Sequence, residues 1–439
     1  MWTSPPLWMS HSHDDAEPPM SLDFLTRHKT FFGWRMVALA AITGAMTGPG
    51  QTIGVSVFID HFIEDLAISR SEVSTAYLIG TLAAALVLPA IGNRIDKIGV
   101  RRAMTMIAIA FGIALVGMAG VNGLVALVVG FFAIRLFGQG SLTLASTLAV
   151  THWFDRKRGL ALGIMATAMS ILMALVPVLL NVVIEAYSWR TAWIVAAVLV
   201  WVIVIPIAQW GLIDRPSDVG QYPDGIAPTT EDGTDADMAS SATRAEALRT
   251  SRFWIVTIAS ATVGLLSTAL NFHQISMLGD AGLSATEAAA MFLPQVIGAA
   301  VAGVFFGYLA DRLTGNILIP IVMGLLAISL LLTLVLAPGT AVILYAISLG
   351  AAGGSSRTVT TTLLPRWFGV GHIGSIQATA GLIGVASTAL GPVMFSLARD
   401  ATGSYGVAAA WFAVIPLAVA VVAATMKPVP IDARHVDAA

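Results

Sequence analysis

The sequence predicts an all-α integral membrane protein of twelve transmembrane helices in two pseudo-symmetric six-helix bundles. Three observations predict it. The 439 residues are 57% hydrophobic and only 11% charged, with a mean hydropathy of +0.84. A soluble domain carries roughly 25% charged residues, so this chain has too little polar surface to face water and must meet lipid. Apolar runs of about 20 residues, long enough to cross a bilayer, recur twelve times. The two halves carry the same residues at a common offset.

Residues 1–34 read as a cytosolic N-terminal tail. His11, His13, Asp14, Asp15 and Glu17 leave no apolar core for a signal peptide, and Met20 is an alternative start. Apolar runs follow at about 35–58, 73–92, 103–120, 125–150, 159–184 and 191–213, which form the first bundle (35–213). Residues 214–252, rich in Asp, Pro and Gly, are expected to be a largely disordered cytosolic linker. The runs resume at about 253–277, 287–310, 316–337, 340–364, 373–397 and 405–426, the second bundle (253–426), and a cytosolic tail (427–439) closes the chain.

Lys and Arg set the expected orientation. With the N-terminus inside, 18 of the 23 basic residues fall in cytoplasmic segments and only Arg70, Arg190 and Arg399 in external ones. Arg135 and Arg357 lie within spans. Both termini are therefore expected in the cytoplasm, in a multi-pass protein of the plasma (inner) membrane.

A shift of 215 residues lays Asp65 on Asp280, Ser69 on Ser284, Glu72 on Glu287, Gly92 on Gly307, Asp96 on Asp311 and Pro177 on Pro392. A shift of 214 lays Trp153-Phe154 on Trp367-Phe368. Duplicated six-helix units are a mark of transporter folds.

Several function classes are excluded. There is no cysteine, hence no disulfide, thiol nucleophile or thiolate metal site. A net charge of −2 excludes a general nucleic-acid binder. No catalytic constellation is visible, so no enzyme, cofactor or metal is expected.

The loop after the second run reads Gly92-Asn-Arg94-Ile-Asp96-Lys97-Ile-Gly99-Val-Arg101-Arg102, and Gly307-Tyr-Leu-Ala-Asp311-Arg312 echoes it. Here the chain resembles the major facilitator superfamily, over residues 35–426. The resemblance implies that Gly92, Asp96, Arg101, Asp311 and Arg312 form gating latches rather than a substrate site. In physical terms glycine permits close approach of helix ends, and Asp96 can cap a helix or pair with Arg. The loop Trp153-Phe154-Asp155-Arg156-Lys157-Arg158-Gly159 looks like that of monocarboxylate porters and their bacterial relatives. The chain departs from them in the eighth run, 287–310, which has no Lys or Arg to hold a substrate carboxylate. The fifth run has Pro177 in Ala174-Leu-Val-Pro177 and matches the drug-exporter signature poorly.

An intramembrane charge costs at least about 2.5–3.5 kcal/mol, which makes it a functional candidate. Arg135 and Arg357 qualify, and no Asp or Glu falls inside a span core. Two cations without acidic partners invite an anion. Arg135 also resembles the superfamily arginine of helix 4, which implies a bond to helix-1 backbone and a part in proton coupling; direct substrate contact is the other reading. Arg357 either contacts substrate or snorkels to headgroups. Polar residues gather in runs 1, 4, 7 and 10, and Gln51, Gln139, Asn271 and Ser356 are candidate substrate contacts. In the facilitator fold these runs line the central cavity. His273 is a candidate proton carrier or a plain interhelical hydrogen-bonding group, and Asp60 a candidate at the outer mouth. Gly48-Pro49-Gly50 is expected to break the first helix. Together these point to a monomeric, proton-coupled symporter of small organic anions. An exporter of drugs or metabolites on the same fold is the alternative.

Overall fold

The computed structural model of the chain describes residues 31–225, 242–310, 312–369 and 372–427, without the side chain of Asp96. Ten helices are long and apolar enough to cross a membrane: α2 (Arg70–Ile95), α3 (Val100–Ala119), α4 (Leu124–Thr151), α5 (Arg158–Ala186), α6 (Trp189–Gly211), α7 (Ser251–Asp280), α8 (Ala285–Ala310), α9 (Gly315–Val335), α11 (Ile373–Thr402) and α12 (Tyr405–Ala424). Two more helical passes complete twelve. The first, α1, is interrupted: helix Gly33–Ala45 gives way to a 3-10 turn, Gly48–Gly50, then to helical pieces Thr52–Val55 and Ile59–Leu66. The other, α10 (Thr340–Phe368), is continuous but carries Ser355, Ser356 and Arg357 at membrane depth. No strand occurs among the described residues. With an even number of passes both chain ends lie on one face, here called the termini face; the loops after α1 and α7 lie on the far face.

Large apolar side chains point outward, Leu86 at 83% and Val304 at 79% exposure, as lipid solvent requires. Inside each bundle helices meet at small residues. A Cβ on Gly350 or Gly354 of α10 would overlap the carbonyl oxygens of Gln295 and Ala299 on α8, whereas one on Gly353 would meet nothing within 4 Å. Gly391 of α11 abuts the Leu265 carbonyl of α7 in the same way. Gly92 shows no such approach: a methyl carbon added there would stand an ordinary 3.5 Å from its nearest neighbour, Leu144. The close packing expected at the motif glycine is found on α10 instead.

The 215-residue repeat has a physical cause. Ser69 and Glu72 form a capping box on α2, and Ser284 and Glu287 form the same box on α8. The Ser69 and Ser284 backbone N–H groups donate to the glutamates at 2.7 and 2.9 Å. Two bundles built alike need the same helix starts.

The described flanks of the linker are folded, against the expectation of disorder. Residues Pro216–Val219 and Pro223–Gly225 form 3-10 turns, and Arg244–Leu248 is a short helix. The described acidic residues of this stretch, Asp214, Asp218 and Asp224, find backbone donors, while Glu231, Asp232, Asp235 and Asp237 lie outside the described residues. Asp214 accepts from the Arg101 N–H at 2.8 Å and so caps α3. Asp224 accepts from the N–H groups of Asp155, Arg156 and Lys157 at 2.9, 2.6 and 3.2 Å. Burial pushes the Asp224 carboxyl up, but these donors outweigh it and hold the group below the usual carboxylate range. The repeated Trp-Phe pairs anchor both ends of the linker: the Trp153 indole donates to the Ile213 carbonyl at 3.1 Å, and the Ala242 N–H donates to the Phe368 carbonyl at 2.9 Å.

Candidate functional site

Arg135 lies 11 residues into α4, where the helix widens. Residues Arg135–Leu142 form a π-helical segment, and the Ser141 hydroxyl donates to the Leu136 carbonyl five residues back at 2.7 Å. Such segments concentrate at functional sites. Gly138 sits within it, against the Phe111 ring. The Arg135 side chain is buried, at 4% exposure. One guanidinium nitrogen donates to the Gly50 carbonyl at 3.3 Å, at the break in α1. The guanidinium stands 4.9 Å from the centre of the Tyr77 ring, a cation–π contact worth about 0.5–2 kcal/mol. Nε has no partner, and no described carboxylate pairs with the group. The Tyr77 hydroxyl is tied to Thr52 at 2.7 Å, and its ring packs on Phe272 of α7 at 4.8 Å. The buried cation therefore touches the α1 break, α2 and, through Tyr77, the second bundle.

One turn toward the termini face, Gln139 is half-buried, with its carbonyl oxygen buried and unpartnered. Gln51 is half-buried and donates to Thr47 at 3.1 Å. Asn271 is half-buried and accepts from Gln295 of α8 at 2.8 Å. Gln51 directly follows Gly50, whose carbonyl accepts from Arg135 at the α1 break.

Arg357 is exposed. At 100° per residue, Gly353 and Arg357 share a strip of α10. One flanking strip, with Gly350, Gly354 and Thr358, packs on α8. The other, with Ser356 and Thr360, faces α7 and α9. Both α7 and α8 pack on the first bundle, so the open strip between them faces the cleft between the bundles. Arg357 is 17 residues into α10, roughly 9 Å nearer the termini face than Arg135 at 1.5 Å per residue. Ser356 does not join it. It is buried against Val256, Ile319 and Val322, about 100° around α10 from Arg357.

The far face is closed by polar contacts between the bundles. Arg70 donates to Asp60 at 2.6 Å and to the Ser276 hydroxyl of α7 at 2.9 Å, and that hydroxyl donates to Asp60 at 2.8 Å. A second cluster joins Asn181 of α5 to Thr286 of α8 at 2.8 Å, and Thr286 donates to Glu185 at 2.9 Å. Ser71 donates to Asp400. The hydrogen bonds described between the bundles gather at this end, while the strip with Arg357 lies open. Of these residues the sequence singled out only Asp60. Partners such as Ser276 and Thr286, some 200 and 100 positions away, carry no signal along the chain.

His273 is buried one turn before Ser276, among Phe272, Phe395 and Tyr405. Its Nε2 lies 3.1 Å from the Pro392 carbonyl, and Nδ1 has no partner. A carbonyl only accepts, so Nε2 carries the hydrogen. In the motif loops, Arg101 donates to the Gln209 carbonyl, and Arg312 stacks on Tyr308 at 4.0 Å. Asp311 and the side chain of Asp96 lie outside the described residues.

Two helical bundles closed at one face, with one buried cation, one exposed cation and half-buried amide groups at membrane depth, have the form of a membrane carrier. The chain belongs to the Major Facilitator Superfamily, whose model matches residues 36–346. Monocarboxylate transporter 13 of Rattus norvegicus is 25% identical over 380 residues, 85% of this chain and 84% of that protein. Monocarboxylate transporter 13 of Bos taurus is 25% identical over 384 residues, again 85% and 84%. Among solved structures, a bacterial homolog of the human lysosomal transporter Spinster, inward-facing and unoccupied, shares the fold with a TM-score of 0.65 at 15% identity, covering 89% of this chain and 95% of that one. Its occupied inward-facing form gives a TM-score of 0.61.

Proposed function

We propose that the protein is a proton-coupled symporter of small organic anions, monocarboxylates foremost, which works as a monomer by alternating access in the plasma (inner) membrane with both termini cytoplasmic. One observation carries the reading: two guanidinium groups at membrane depth, Arg135 and Arg357, have no described carboxylate partner. A substrate carboxylate supplies the missing charge and a fork-shaped guanidinium binds it with two hydrogen bonds. The relatives named for monocarboxylate transport support the substrate class.

The geometry suggests an order of events. Arg357 meets the anion in the open cleft, Gln139, Gln51 and Asn271 offer amide groups beyond it, and Arg135 is the deepest cation. An anion at Arg135 competes with the Gly50 carbonyl and the Tyr77 ring, both attached to elements that bend or seal. Binding there loosens the α1 break. On the far face, protonation of Asp60 removes the charge that holds Arg70 and Ser276 together, and His273 offers a second proton site one turn away. The basic-residue bias makes the closed far face the external one, so this conformer opens to the cytoplasm. Gly92, Asp96, Arg101, Asp311 and Arg312 act in the latch of the opposite conformer.

The test is uptake of labelled lactate, pyruvate and related acids into proteoliposomes under an imposed pH gradient. Acid-stimulated uptake that collapses with a protonophore is expected. Absence of such uptake across the panel contradicts the proposal.

A further inference from the structure

The end of α4 and the first folded stretch of the linker enclose a cavity of about 490 Å³ on the termini face, within the roughly 300–1,000 Å³ of small-ligand sites. His152, Arg215, Ser217, Gln221, Tyr222 and Pro223 line it. The segment that builds it contains three aspartates, yet none of them lines it. Asp214 is taken by the Arg101 N–H at 2.8 Å, Asp218 by the Arg215 N–H at 3.0 Å, and Asp224 by the three N–H groups of Asp155, Arg156 and Lys157. The walls thus present a guanidinium, an imidazole and two hydroxyls without an opposing carboxylate. The His152 Nδ1 is buried and has no partner. A buried polar atom left unpaired beside a cavity marks a place where polar bonding is incomplete. The Arg215 guanidinium is exposed, and no described carboxylate pairs with it.

The position narrows the ligand. Trp210, 80% exposed at the end of α6, stands five residues before Arg215, and exposed tryptophans mark the membrane–water interface. The exposed basic run Arg156-Lys157-Arg158 begins three residues after Trp153 and is clamped to the same linker stretch through Asp224. We propose that this cavity is a binding site for a phosphate group, presented by an anionic lipid headgroup or as free phosphate, with Arg215 and His152 as its ligands. A phosphate there draws together α4, which carries His152, and the linker, which carries Arg215, and so fixes the linker to the first bundle. The site is separate from the cleft and acts on the linker that joins the two bundles.

The test uses the full chain in phosphatidylcholine nanodiscs, with inorganic phosphate and short-chain phosphatidylglycerol as probes and thermal melting plus tryptophan fluorescence as readouts. A saturable rise in Tm of several degrees is expected. A response to both probes assigns the site to any phosphate group; a response to the lipid alone assigns it to a headgroup. Arg215→Gln is expected to weaken binding about tenfold, which is about 1.4 kcal/mol, with His152→Gln weaker than wild type by less and Arg215→Lys intermediate. Unchanged melting of these variants without ligand establishes that they fold. No response to either probe at millimolar concentration overturns the proposal, as does an undiminished response in the Arg215→Gln, His152→Gln double variant.

Discussion

The fourth helix of each bundle, α4 and α10, handles its arginine in opposite ways. On α4 the helix widens into a π segment, and Arg135 is folded inward onto the Gly50 carbonyl and the Tyr77 ring. On α10 the helix stays regular, glycines press it onto α8, and Arg357 stands free in the cleft. A cation sealed without a counter-charge is costly, so Arg135 is kept against the interest of stability. A solvated one costs little. The comparison teaches that the two arginines stand in opposite environments at two depths, and under the proposed function this gives them different work: Arg357 to recruit the anion, Arg135 to convert its binding into movement of the α1 break.

The largest effect expected separates these roles. Arg135→Gln should lower transport about 100-fold or more, equivalent to about 2.7 kcal/mol, and Arg135→Lys should fail to rescue it, because a compact ammonium cannot serve carbonyl, ring and carboxylate together. Arg135→Met should leave Tm unchanged or raised, since it removes a buried unpaired charge. A fall of several degrees in a thermal melt would mean that Arg135 is a structural tie instead.

Next comes the packing of α10. Gly354→Ala forces a methyl onto the Ala299 carbonyl and should destabilise by about 1–3 kcal/mol, while Gly353→Ala, one residue away in open space, should leave melting unchanged. Equal losses would show that the strip with Arg357 is packed rather than open. Arg357→Gln should raise KM about tenfold with kcat nearly kept, which initial-rate uptake separates.

The smallest effect expected lies at the far face. Ser276→Ala removes the α7 hydroxyl that ties the Arg70–Asp60 pair to the second bundle and should raise far-face opening a few-fold, a shift of about 1 kcal/mol. Because the chain has no cysteine, a single cysteine placed at Asn271 reports that opening by its labelling rate from the far face. An unchanged rate would mean that the Asn181–Glu185–Thr286 cluster and the Ser71–Asp400 bond hold the face without it.

Much of the fold was legible because hydropathy, charge bias and helix caps act locally along the chain. The apolar runs, the break at Gly48-Pro49-Gly50 and the repeated Ser-x-x-Glu starts are all written in neighbouring residues. The site was legible in part. Arg135 and Arg357 stand out because charge is rare in lipid, and Asp60 because it ends a span. The π segment, where Gly138 lies against Phe111, and the far-face clusters, with pairs such as Asp60 and Ser276, 216 residues apart, involve contacts between distant parts of the chain. Neither leaves a periodic trace. Ser356 was drawn in by its neighbour Arg357, yet one residue is 100° of a helix, enough to turn it toward α7 and α9. The described flanks of the linker differ from expectation because an aspartate such as Asp214 or Asp224 reads as solvated when its backbone donors are distant in sequence.

The central claim is that unpaired guanidinium groups receive the charge of a carboxylate. Counterflow in proteoliposomes with a monocarboxylate and its neutral amide, an equal-sized pair such as lactate and lactamide, tests it most directly. Exchange of the acid, no exchange of the amide, and loss of acid exchange in Arg135→Gln are the results expected; equal exchange of the amide, or acid exchange undiminished in Arg135→Gln, would contradict the account.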